Sequence, residues 1–186
     1  LAIKSDYAEA HYSLGNVYKD LGRLDDAVAS QRKALSLKPD YADAQNNLGL
    51  ALRDLGKLDE AIDSFRKAVA IRPNYAEAHS NLGVSLKDLG KLNEAVTCYH
   101  KSIASKPDYA EALHDLGIAF QTQSKPEEAL ESYYKALAIK PDFAYTHNNM
   151  GFTFRDLGKL EEALTSFDKA IAGKPDYANA YANQAM

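Results

Sequence analysis

The chain has 186 residues, 46% apolar and 26% charged, with a formal net charge of -4. That balance permits a packed core and gives no electrostatic argument for nucleic acid or an anionic membrane as partner. No apolar run reaches the roughly 18 residues of a membrane span, no signal peptide opens the chain, and the single cysteine, Cys98, lacks a disulfide partner, which fits a reducing, cytoplasmic setting.

The opening Leu1-Ala2-Ile3-Lys4 matches a later helix end, Leu137-Ala138-Ile139-Lys140, so residues 1–7 read as the tail of a preceding repeat and its junction. From there one period governs the chain. Tyr7, Tyr41, Tyr75, Tyr109, Phe143 and Tyr177 lie 34 residues apart, and Pro39, Pro73, Pro107, Pro141 and Pro175 keep that interval. Five units follow, 8–41, 42–75, 76–109, 110–143 and 144–177, with a partial sixth over 178–186. Each unit predicts two helices, A and B. In the second, Asp40 with Asp43 suggests a capping box, as do Asp6 with Glu9, Asn74 with Glu77 and Asp108 with Glu111. Helix A runs to about Leu55, Gly56 supplies a left-handed stop, and helix B runs from near Leu58 to Ile71 or Arg72. Leu48, Leu52 and Leu55 form one stripe; Ala61, Phe65, Ala68 and Val69 form the facing one. Gly49 costs about 1 kcal/mol inside a helix, and its recurrence predicts that a side chain there would hold A and B apart. The fourth unit carries Pro126 at a helix start and Ser124 in place of the stop glycine, which predicts a turn that is either tighter or strained.

This pattern resembles the tetratricopeptide repeat (TPR) family in its period, its leucine-glycine pairs (Leu14-Gly15, Leu48-Gly49, Leu82-Gly83, Leu116-Gly117) and its later alanine and proline positions. The chain departs from that pattern at His11, Gln45, His79, Leu113 and His147, where an aromatic is usual, and at Gln31, where Phe65, Tyr99, Tyr133 and Phe167 follow it. The resemblance implies an all-α fold, a right-handed alpha-alpha superhelix or solenoid with helices A on its concave side. The LGNVYKDLGRLDDA wording and the PDYAEA junctions are most similar to the superhelical arm of O-linked N-acetylglucosamine transferases, and similar repeats occur in bacterial scaffold proteins. That arm recruits protein substrates, which implies a peptide-holding role for Asn47, Asn81, Asn149 and Asn183.

Read down the columns, helix A offers candidate groove residues. Ser13, Asn47, Asn81, Asp115, Asn149 and Asn183 share one position, and an amide there can both donate to and accept from a peptide backbone. The alternative is that the recurrence reflects near-copying of the units alone, with Asn on a wet helix face. Beside them run Asn16, Leu50, Val84, Ile118 and Phe152, either a track for ligand side chains or a seam between adjacent helices. Asn46 and Asn148 belong to a mixed column that would tune specificity. Arg53 and Lys87 either meet an acidic ligand or are solvated helix-end charges. No constellation for catalysis, metal or cofactor emerges: His11, His79 and His147 are two units apart, roughly 20 Å by helix spacing. The expectation is a noncatalytic module for an extended protein or peptide, with end-to-end self-association through the apolar end faces as the alternative.

Overall fold

The computed structural model describes the backbone of residues 2–173 and the side chains of residues 7–173. The partial sixth unit, with Asn183, lies outside the described residues. All regular structure among those residues is α-helical, in two compact units. The first, residues 1–105, holds α1 (Ala2–Asp20), α2 (Leu24–Leu37), α3 (Ala42–Asp54), α4 (Leu58–Ile71), α5 (Ala76–Asp88) and α6 (Leu92–Ser105). The second, from residue 106, holds α7 (Ala110–Thr122), α8 (Pro126–Ile139), α9 (Ala144–Asp156) and α10 (Leu160–Gly173). Odd-numbered helices are A and even-numbered are B. Within each unit every helix packs on the next, so hairpins stack as a solenoid. No helix among the described residues is long and apolar enough to cross a membrane.

The glycines do what their spacing predicts. Gly22, Gly56, Gly90 and Gly158 have φ of 72–75°, the left-handed region. Around Gly56 the chain closes a helix C-terminal lock: Gly56 N–H bonds Arg53 O at 2.8 Å and Lys57 N–H bonds Leu52 O at 2.9 Å. Ser124 makes the same turn at φ 58°, alone among the described non-glycine residues, and carries the strain that glycine avoids. The second set of glycines sits under rings. A Cβ on Gly49 would lie 2.6 Å from Phe65 Cε1, and one on Gly117 would lie 2.3 Å from Tyr133 Cε1. Ala61, Phe65 and Ala68 are fully buried against this contact, with Leu48 and Leu52 beside them.

The helix starts differ from expectation. Asp40 and Asn74 do not cap: the cap residues are Tyr41, Tyr75, Tyr109 and Phe143, with no side-chain cap bond. The physical reason is the turn before them. Tyr41 N–H reaches Lys38 O at 3.3 Å across Pro39 and Asp40, which leaves Asp40 one residue outside the cap. Each cap ring is instead covered by a cation from the preceding helix end, such as Lys38 over Tyr41 and Arg72 over Tyr75, both at 4.5 Å. Asp43 pairs with Arg72 through two bonds of 3.0 and 2.8 Å. α1 has no such break, because Ser5 stands where later units have proline and its N–H can stay in the helix.

Candidate functional site

In the first unit the candidate asparagines form a connected chain of amides. Gln31, buried where later units carry a ring, donates from Nε2 to Asn16 Oδ1 at 2.9 Å and to Tyr12 O at 3.2 Å. Asn47 Nδ2 donates to the same Asn16 oxygen at 2.7 Å. Asn46 Nδ2 donates to Asn47 Oδ1 at 3.2 Å, and Asn81 Nδ2 donates to Asn46 Oδ1 at 3.0 Å. Five side chains on α2, α1, α3 and α5 are thereby joined. Asn46 is only 5% exposed, so it reaches the open side only through its neighbours. Asn47 and Asn81 are half-buried. Asn47 retains one N–H beyond these bonds, and Asn81 retains its oxygen and one N–H.

Leu50 and Val84 flank the amides and are partly buried. Arg53 and Lys87 each pair with the next residue, Arg53 with Asp54 at 4.0 Å and Lys87 with Asp88 at 3.0 Å. Both bases are about a quarter exposed, so their alkyl stems lie on the helix surface while their heads stay accessible.

The second unit fills the same positions otherwise. His114 stands in the Asn46 column, and its Nδ1 is 2.9 Å from Thr146 Oγ1. Its ring packs against Phe143, centroids 4.9 Å apart, and against Tyr133 at 5.9 Å. Burial drives its pKa down to about 4, with the Glu111 charge opposing, so the imidazole is neutral at pH 7. Asn148 is buried, whereas Asn149 and Asp115 are half-buried. The Asn149 amide makes no hydrogen bond among the described residues, while Asp115 has a partner. Ile118 and Phe152 are packed onto the core cluster, Phe152 edge-on to Phe167 at 5.5 Å.

The departing histidines also have a structural task. His79 Nε2 lies 2.8 Å from Pro73 O, and His147 Nε2 lies 2.8 Å from Pro141 O, tying each A helix to the turn that leads into it. Among the described residues no three His, Cys, Asp or Glu side chains group so as to hold a metal ion. Burial raises the Cys98 thiol pKa, which makes it a poor nucleophile.

The sequence matches two family descriptions: TPR repeat over residues 15–52, 49–90 and 153–185, and tetratricopeptide repeat over 74–142. Among curated proteins, none matches. Solved structures match along almost the whole chain. A MamA crystal structure is 26% identical, with 94% of this chain and 95% of that one covered at a TM-score of 0.80. YrrB, described as a TPR protein with an unusual peptide-binding site, is 24% identical, covering 95% and 91%, with a TM-score of 0.76. PilF of Pseudomonas aeruginosa is 22% identical, covering 97% and 82%, with a TM-score of 0.87.

Proposed function

The chain belongs to the tetratricopeptide repeat family, and from that premise we propose that it is a noncatalytic module holding an extended polypeptide along its A helices. The observation that carries this reading is the spare hydrogen-bonding capacity of Asn47, Asn81 and Asn149, each half-buried and held by its own helix. An extended backbone offers alternating N–H and C=O groups, and a positioned amide answers either. Leu50, Val84, Ile118 and Phe152 would contact ligand side chains, and Arg53 and Lys87 would favour acidic ones. The buried, unreactive Cys98 suits a reducing, cytoplasmic setting. A substrate-recruiting arm of a protein O-GlcNAc transferase is the narrower form of the same reading, resting on the same three asparagines.

The test is affinity capture from source-cell lysate with the wild-type chain and with Asn47, Asn81 and Asn149 all changed to alanine. Circular dichroism checks that helicity is equal. A partner captured by the wild type and lost by the variant supports the reading; an identical set of captured proteins sinks it. Self-association is the second reading, favoured by exposed Leu14 and Val17 on α1 and Leu21 in the turn that follows it, at 41%, 53% and 66% exposure. Sedimentation of a Val17→Lys, Leu21→Lys chain decides it: an unchanged mass rules this face out.

A further inference from the structure

In the first unit, neighbouring B helices are strapped together by an arginine of the earlier helix and a glutamate of the later one. Arg32 reaches Glu60 at 2.9 Å, and Arg66 reaches Glu94 at 3.3 Å. The hollows beside these straps are small, about 350 Å³ next to Arg32 and about 400 Å³ next to Arg66. In the second unit the same register puts Tyr134 at the arginine position and Glu162 at the glutamate position. Tyr134 is 55% exposed and has no charge to offer. The Glu161 and Glu162 carboxylates have no ion-pair or hydrogen-bond partner among the described residues.

The α8–α10 hollow, which has no strap, is larger and holds about 950 Å³. Leu137, Met150 and Phe154 form its apolar floor. Asp142, Glu161 and Glu162 on its walls outnumber one base, Lys169. A volume of this size accepts bulky side chains.

We propose that this groove docks a partner segment that carries arginine beside a bulky apolar residue. The arginine takes the place that Arg32 and Arg66 occupy in the first unit, forming the charge-assisted pair with Glu162 that the chain itself leaves unmade. The apolar neighbour fills the floor over Leu137 and Met150. The groove uses none of the asparagines of the peptide-holding face, so the two surfaces can be loaded separately.

Fluorescence anisotropy of a labelled peptide alternating leucine and arginine, titrated with the full chain, tests this. A second peptide with glutamate for arginine is the control. The arginine peptide is expected to bind and the glutamate peptide not. Glu161→Gln with Glu162→Gln should weaken binding at least about tenfold. Tyr134→Arg, which installs the missing strap, should weaken it comparably, and added salt should do the same. Circular dichroism confirms that both variants stay folded; both changes lie on the helix surface, and the two variants act independently. No binding of the arginine peptide, equal binding of both peptides, or indifference to Tyr134→Arg overturns the proposal. A dimer in sedimentation that depends on Glu162 without any peptide overturns it too, and assigns the groove to a second copy of the chain.

Discussion

Between α1, α3 and α5 the seam of the A helices is closed by amides, and between α7 and α9 it is closed by a histidine, a threonine and rings. The position is the same: Asn46 in one unit, His114 in the other. The Asn46 oxygen accepts from Asn81, whereas the corresponding His114 nitrogen is taken by Thr146, so Asn149 has nothing beneath it to bond. The difference shows how a repeat array can keep one backbone and vary what its seams tolerate. A bonded amide chain fixes the orientation of its members, because each is tied to a neighbour by at least one directed hydrogen bond. A ring stack fixes volume and burial instead.

Breaking the aromatic seam should have the largest effect. Tyr133→Ala removes the ring that fills the Gly117 socket and contacts His114, and should cost about 3–5 kcal/mol by chemical denaturation. Hydrogen exchange should place the loss in residues 106–173; protection falling equally in α3 would break the comparison. Next comes acid. The His114 pKa is lower folded than unfolded, so its contribution is complete above about pH 6.5 and is lost as pH falls toward 4, to about 3 kcal/mol. His147 is shifted the same way by burial. The first unit has a different window. Asp43 is held below the usual carboxylate range by Arg72, so its contribution is lost only as pH falls below its unfolded value near 4. Exchange measured at pH 5 should therefore loosen α7–α9 before α3–α5, and His114→Asn should remove most of that contrast.

A smaller effect sharpens the other side. Asn46→Ala takes away the acceptor of Asn81 and the donor to Asn47, and should cost about 1–3 kcal/mol, read from the first unit's unfolding. Smallest is Ser124→Gly, which relieves a left-handed serine and should stabilise the second unit by about 0.5–1 kcal/mol. A loss of stability there would mean that the serine hydroxyl matters more than its backbone.

Much of the fold was legible because it is local and periodic. Gly56 as a stop, Gly49 as the close contact between A and B, and Ser124 as a tighter or strained turn all follow from one residue and its helix phase. The caps were misread because Asp40 precedes an aromatic: the residue type suits an N-cap, but the Pro39 turn shifts the cap to Tyr41. The amide chain was half legible. The column of asparagines could be listed from sequence, but not that Asn47 bonds 31 residues back while Asn81 bonds 35 back. That choice depends on Tyr12 having no amide to accept and on Gln31 having placed Asn16. The B-helix straps carried a readable signal, Arg32 with Glu60 and Arg66 with Glu94 at one constant separation of 28, which column reading of the A helices passed over.

Each glycine-ring socket is closed within a single 34-residue unit: Gly49 with Phe65, Gly83 with Tyr99, Gly117 with Tyr133. Excising or transplanting one whole unit therefore leaves no ring without its hollow. The amide chain has no such freedom, because its bonds cross from one unit into the next. Splicing out residues 42–75 would set Asn81 where Asn47 now meets Asn16 and would remove Asn46, so the amides would have to be joined in a different order. A whole unit can thus be lost without emptying a glycine-ring socket, but not without rewiring the amides.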